Sequence, residues 1–422
     1  MRIPLNRAAR KISLVLASLL FLAGYLWFTG RALGGAYFST RPDLADLQRA
    51  VRWQPGNADY RHRLGRYLFL IQRSPEAAVE AYREAVALDP HQARYWFDLA
   101  GAYQLLGNTE EQKAALERGL VADPTTPDLA WEAGNFYLVQ GETDKALREF
   151  RVVMESDPSL PPAALKLCWR VKPDVEALLR DVVPPTAAVY SVFLDFLVSQ
   201  KETAAAAKVW TQLAQLRQPL PPALAFTYIR YLVAQHEVDQ ARLVWQQAGA
   251  LCGLSSYQPS PENLIVNGDF SLTVLNGGFD WQYHQSKEVS LALDPTQAHG
   301  GHRSLLISFD AQKIDDAGIG QLVPVQPSTG YDFSAYFKAN DIQGAGGPRF
   351  TIQDLYTATP YYSSDELKNA DFWKEVSGSF TTGPDSKLLL LRIQREPPGM
   401  PIRGKLWIDS VRLAGQEEEQ VQ

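Results

Sequence analysis

The chain has 422 residues, 46% hydrophobic and 21% charged, the balance of a folded protein with length for two or three domains. A net charge of −6 argues against a nucleic-acid partner, because phosphate binding needs a basic face. Two cysteines, Cys168 and Cys252, are too few for a disulfide framework, and buried free thiols are expected.

In chain order, Arg2, Arg7, Arg10 and Lys11 precede an uncharged run from Ile12 to Gly30. As a helix that run is about 28 Å long, close to the hydrocarbon thickness of a bilayer. Ten Leu, Ile, Val or Phe residues between Ile12 and Phe28 favour insertion by roughly 3 to 6 kcal/mol. Tyr25 and Trp27 suit the far interface. Positive charge ahead of the span predicts a single-pass anchor over residues 1–34, with its N-terminus cytoplasmic and the bulk outside. A cleaved signal peptide is the alternative, with Ala32-Leu33-Gly34 as its small-residue site.

After the anchor comes a ladder of prolines, Pro55, Pro90, Pro124 and Pro158, spaced 35, 34 and 34 residues apart. Trp96, Leu99, Ala100, Tyr103 and Gly107 in one segment correspond to Trp131, Gly134, Tyr137 and Gly141 in the next. An earlier copy gives Leu64, Gly65, Leu68, Ala78, Tyr82 and Ala85. A fixed period near 34 is the mark of stacked helical hairpins. Gly107 and Gly141 are expected to end first helices in left-handed caps, and the small residues to admit a neighbouring helix.

This pattern resembles the tetratricopeptide repeat. The resemblance implies a right-handed solenoid whose first helices line a groove for a protein partner. Carried over by position, that groove comprises His62, Arg66, Phe69, Arg94, Phe97, Gln104, Trp131 and Asn135. Asn135 matches an asparagine that peptide-binding arrays use on the ligand backbone; Arg66 and Gly101 depart from it. Prolines from Pro161 to Pro185 make the next helical pair irregular. Ala206, Trp210 and Leu213, then Ala241, Trp245 and Ala248, repeat a packing triplet 35 residues apart. The array is expected over residues 42–251.

Residues 252–262, rich in Gly, Ser and Pro, read as a linker. Beyond them the hydrophobic period turns alternating. Strands are expected at Leu264–Val266, Ser290–Asp294, Ser304–Phe309, Gly320–Val325, Tyr331–Ala339, Arg349–Asp354, Trp373–Phe380, Leu388–Gln394 and Lys405–Leu413, which predicts a β-sandwich. The fold expected for the chain is therefore multidomain: a transmembrane helix, an all-α solenoid and an all-β jelly roll.

Asn263-Leu-Ile-Val-Asn-Gly-Asp-Phe-Ser, Gly301-His-Arg-Ser-Leu-Leu-Ile and Leu406-Trp-Ile-Asp-Ser-Val-Arg-Leu, in that order, resemble the galactose-binding-like jelly roll of carbohydrate-binding modules, over residues 263–414. The resemblance implies a polysaccharide ligand held by exposed aromatics and amide or acid side chains. The candidates are Trp281, Gln282, Tyr283, Gln353, Tyr361, Tyr362, Trp373 and Arg392, although Trp281 and Trp373 also suit a core. It implies too a structural calcium, with Asp269, Asp294 and Asp409 as candidate ligands; Ser271 stands where the family's usual glutamate would be. His299 and His302 are expected at the surface.

No nucleophile elbow, zinc-binding helix or phosphate loop is present, so no enzyme is expected. The union of anchor, repeats and jelly roll looks like proteins of bacterial exopolysaccharide systems, which implies an inner-membrane scaffold with a periplasmic bulk. An adaptor whose β-domain binds no sugar is the alternative, and a glycan-active hydrolase the third. The tail at 415–422 is expected to be disordered.

Overall fold

The structure, a computed structural model, describes residues 8–41, 43–156, 161–284 and 286–416. Arg2, Arg7, Pro42, Pro158 and the tail from Glu417 lie outside the described residues. The chain forms two compact units, Met1–Phe196 and Leu197–Gln422.

The first unit is all helical. It runs through α1 (Ala8–Ser39), α2 (Leu44–Trp53), α3 (Ala58–Leu70), α4 (Pro75–Leu88), α5 (Ala93–Leu106), α6 (Thr109–Ala122), α7 (Pro127–Val139), α8 (Thr143–Ser156), α9 (Pro161–Val171) and α10 (Val175–Asp181). The units divide within α11 (Ala187–Ser199). Local chemistry sets each hairpin. Pro75 and Pro127 start second and first helices at the position where no amide hydrogen is needed. Gly107 and Gly141 turn the chain at φ of +71° and +76°, as their period predicts. The ladder prolines have a further use: the Trp96 indole donates to the Pro90 carbonyl at 2.8 Å, tying a first helix to the turn before it. Gly65 lies against the Tyr82 ring and Gly134 against Phe150, so small residues receive the aromatics of the paired helix.

Residues Lys11–Ser39 make one apolar helix long enough to cross a membrane. Its last turns are packed. Gly34 faces the Trp53 ring, Gly35 faces Tyr60, and Arg31 Nε donates to the Trp53 carbonyl at 2.7 Å. These turns and α2 make a hairpin of their own, and Ala32-Leu33-Gly34 lies inside continuous helix.

The second unit joins α12 (Thr203–Gln215), α13 (Pro222–Ala234) and α14 (Val238–Leu251) to a sandwich of two five-stranded antiparallel sheets. One sheet contains β1 (Gln282–Tyr283), β4 (Asp316–Pro324), β9 (Leu388–Glu396), β6 (Gly347–Asp354) and β7 (Pro360–Ser363), in that order. The other contains β2 (Val289–Asp294), β3 (Ser304–Ile314), β10 (Met400–Gly415), β5 (Gly330–Gln343) and β8 (Ala370–Thr381). The core between them is built from alternate residues such as Phe333, Phe350, Leu391 and Ile408.

Three sequence readings change. Leu264–Val266 joins no sheet: Leu264 N donates to the Leu413 carbonyl, and both backbone polar groups of Val266 bond the buried Gln321 side chain. Gly415 belongs to β10 rather than to a tail, and the Gln416 side chain donates to Asp332. Residues 252–262 are not a spacer. The Trp245 indole donates to the Tyr257 carbonyl, Gln258 Nε2 donates to the Trp245 carbonyl, and the Tyr257 hydroxyl donates to Thr273 in the sandwich.

Candidate glycan face and candidate helical groove

Alternation along the strands decides which side chains of the sandwich face outward. On β9, Leu389, Leu391 and Ile393 enter the core, so Leu390, Arg392 and Gln394 face out. On β6, Phe350 and Ile352 enter the core, which turns Arg349, Thr351 and Gln353 outward. Register then aligns Gln282, Gly320, Arg392, Thr351 and Ser363 in one row across all five strands. Gln353 and Gln394 flank that row. Arg392 Nη2 donates to Gln353 Oε1 at 3.2 Å, and with its amide oriented to suit its neighbours Gln394 accepts from Arg392 and donates to Thr351. The guanidinium is thereby held in place with donors to spare. On β4 the row passes through Gly320, where an added Cβ would meet the Leu391 carbonyl and Arg392, and the His284 ring lies against Gly318.

The aromatic candidates lie elsewhere, and each has a reason. Trp281 is fully buried, its ring stacked on Phe270 and its indole donating to the Asn267 carbonyl, so neither of its faces is open to a sugar. Tyr283 packs against the core from an edge strand, the position opposite Ile319. Tyr361 stacks on Phe380 and its hydroxyl accepts from the Gly383 amide; Tyr362 packs on Phe333 and donates to the Ser377 carbonyl. This pair closes the sandwich edge between β7 and β8. Trp373 is half-buried on the other sheet, beside a His299 ring stacked on Tyr336 at 3.6 Å. Of the eight candidates, Gln282, Gln353 and Arg392 share one face.

Each of the three candidate calcium acids is held by hydrogen donors. Asp409 is buried and accepts three backbone amides, from His299, Gly300 and Ser410. Asp294 accepts from Thr296 and the Trp407 indole, and Asp269 from Ser271. The groups converging on Asp409 are hydrogen donors, where a calcium ion needs oxygens. Among the described residues no group of three His, Cys, Asp or Glu side chains is placed to hold a metal.

In the first unit, Phe69, Phe97 and Gln104 line a cleft of about 360 Å³ with Tyr82, Asp98 and Glu132. Burial pushes the Glu132 carboxyl above its ordinary range, and Asp128 adds to it. Arg66 and Arg94 are exposed, and Arg66 Nε lies 3.8 Å from Asp98. His62 is a correction: it is buried between Tyr82 and Tyr95, its ring 2.6 Å from Asp98, and presents nothing to a ligand. Trp131 leans edge-on to Phe150, and Asn135 donates to the Trp131 carbonyl of its own helix.

Residues 262–399 match the Carbohydrate binding domain family, and 58–92 and 93–126 each match the Tetratricopeptide repeat. The chain carries tetratricopeptide repeats and a carbohydrate-binding-type domain. The Hsp70-Hsp90 organizing protein of Triticum aestivum is 28% identical over 114 residues, 27% of this chain and 19% of that protein. This chain thus spans about a fifth of that relative's length. A solved Family 16 Carbohydrate Binding Module-2 is 23% identical over 36% of this chain and 99% of its own, with a TM-score of 0.26. The crystal structure of MamA is 17% identical over 41% of this chain and 85% of its own, with a TM-score of 0.25.

The carbohydrate-binding-type domain holds one further titratable group that sequence reasoning passed over. Asp280 is fully buried beside Trp281, and burial pushes its carboxyl up to about 6 against hydrogen bonds from the Leu275 and Trp281 amides. A carboxyl raised in the folded state stabilises fully below its unfolded pKa, and that contribution is lost as pH rises through the folded value. Unfolding free energy of the full chain should therefore fall by on the order of 3 kcal/mol between pH 4 and pH 7 through this group. Denaturant titrations of Asp280→Asn should show that fall removed; an unchanged slope would remove the assignment.

Proposed function

We propose that this protein is a non-catalytic, membrane-anchored scaffold in assembly or export of an envelope polysaccharide. In this reading α1 anchors the chain, the repeats hold a protein partner over the Phe69–Phe97 cleft, and the carbohydrate-binding-type domain meets glycan on its β1-β4-β9-β6-β7 sheet. The observation that supports it most is the outward row of Gln282, Arg392 and Thr351 with Gln353 and Gln394 beside it. Amides around a fixed guanidinium match the adjacent hydroxyls of a sugar ring.

Residues 1–34 would remain attached, because α1 continues unbroken past Gly34 and packs on Trp53. A cleavage there would strip α2 of its partner. The bulk would face the periplasm by the charge rule.

A specific observation favours the second reading, an adaptor that binds no sugar: Trp281, Tyr361 and Tyr362 are all engaged inside or at the edge of the sandwich. Retention of the full chain on a panel of immobilised polysaccharides separates the two. Arg392→Ala with Gln353→Ala should weaken retention about a hundredfold, since two polar groups that orient the ligand are lost. If the unaltered protein is retained by no glycan, the adaptor reading stands instead.

A further inference from the structure

At the water end of α1 the first unit has a cavity of about 770 Å³, between the anchor helix and the start of α3. Phe28 and Arg31 line it from α1, and Trp53, Asp59, Asp89 and Tyr95 line it from the helices and turns that follow. Phe28 is 74% exposed and belongs to the apolar run of the anchor. The helix positions from Lys11 to Gly30 fill a bilayer's hydrocarbon thickness, which leaves Arg31–Ser39 about 14 Å beyond it. The cavity opening therefore lies at headgroup level, if α1 spans a membrane as proposed above.

Its chemistry is bipolar. Arg31 uses Nε on the Trp53 carbonyl, and among the described contacts its two terminal nitrogens make no hydrogen bond. Asp59, Asp89 and Tyr95 line the same cavity; burial raises the Tyr95 hydroxyl's pKa, Asp59 and Asp89 add to the rise, and Arg63 opposes it. Asp59 also pairs with Arg63 at 2.7 Å, and Asp89 accepts the His91 amide. A guanidinium and two carboxylates lining one cavity, with the apolar Phe28 ring on the anchor side, complement a zwitterion that carries an acyl chain.

We infer that this collar binds the headgroup of an ethanolamine phospholipid, its phosphate on Arg31 and its ammonium on Asp89 and Asp59, with an acyl chain along Phe28. A primary ammonium brings three hydrogens to carboxylate and phenol acceptors, which a choline headgroup lacks. An anionic glycerol headgroup meets the two acids with no cation to offer them. Such a contact fixes the depth of the solenoid at the membrane, because Arg31 is also the residue that ties α1 to α2.

The test uses the full chain in nanodiscs of equal phosphatidylethanolamine, phosphatidylcholine and phosphatidylglycerol, with retained lipid read by native mass spectrometry. Phosphatidylethanolamine should be retained about tenfold over the others, the effect of one charge-assisted hydrogen bond. Asp89→Asn and, separately, Tyr95→Phe should bring the ratio toward that of the bulk lipid, with circular dichroism and melting temperature showing that both variants fold. Equal retention of all three lipids, preference for phosphatidylglycerol, or folded variants that keep the selectivity would overturn the inference. A carbonate wash of membranes is the separate arm for the anchor: release of the chain would remove the anchor reading and this site with it, whereas a chain that stays without lipid selectivity removes only the site.

Discussion

Trp281→Ala is expected to cost the second unit about 3–5 kcal/mol, the range for removing a large aromatic from a packed core. The ring is fully buried, stacks on Phe270 at 5.1 Å, and its indole satisfies the Asn267 carbonyl. The variant leaves a void, and the Asn267 carbonyl keeps only its bond from the Phe270 amide. Urea titration of the full chain, followed by near-ultraviolet dichroism, should show the loss directly. The contrast with Arg392 is the informative part. Arg392→Ala removes an outward side chain whose partners, Gln353 and Gln394, can turn to water, so stability should move by less than about 1 kcal/mol. A Trp281→Ala protein that unfolds at the parent's urea midpoint would mean that the ring does not support the core.

Why the sequence leaves Trp281 open between sugar platform and core, while it locates other residues well, has a physical basis. A 34-residue repeat is written in local contacts: Gly65 against Tyr82, Gly134 against Phe150, and Trp96 onto Pro90 all join neighbours in the chain. Such contacts leave a period that can be read directly. Strand alternation is nearly as local, and it brings Gln353 and Arg392 to one face because each lies between core residues, Ile352 beside Gln353 and Leu391 with Ile393 around Arg392. Alternation gives no help for an aromatic in an irregular segment. Trp281 follows a loop and precedes a two-residue strand, so nothing local says which way its ring turns. Gly318, Gly320, Thr351 and Gln394 were passed over because they complete the face only through strand register, and register is set by partners far away in sequence. His62 failed for the opposite reason. Its helical position is right for a groove, but Tyr82, Tyr95 and Asp98 surround it.

The segment read as a linker carries the other large expectation. Composition at 252–262 marks flexibility, yet the side chains of Tyr257 and Gln258 join α14 to the sandwich, and the contacts continue on both sides. Phe279 meets Trp245 edge-on at 6.0 Å, Tyr356 stacks on His236 at 4.0 Å and donates to the Val233 carbonyl, and Lys387 pairs with Asp239 at 2.6 Å. The α13–α14 hairpin and the end of the sandwich thus share ring contacts, hydrogen bonds and an ion pair, and neither is a free module. Gly278 is where this contact is most sensitive. Its φ is +60°, and an added Cβ would lie 2.1 Å from the Trp245 ring. A β-branched residue there combines left-handed strain of about 1–2 kcal/mol with overpacking of about 1–3 kcal/mol. Gly278→Val should accordingly destabilise the second unit by about 2–5 kcal/mol and open the chain to protease between Leu251 and Asn263. Gly253 also has positive φ, at +69°, but meets no atom within 4 Å. Gly253→Ala should therefore bear the backbone strain alone, about 1–2 kcal/mol, and leave that segment protected. Equal protease sensitivity in the two variants would mean that strain, rather than the Trp245 contact, controls this junction, and the helices and sandwich would then be separable after all.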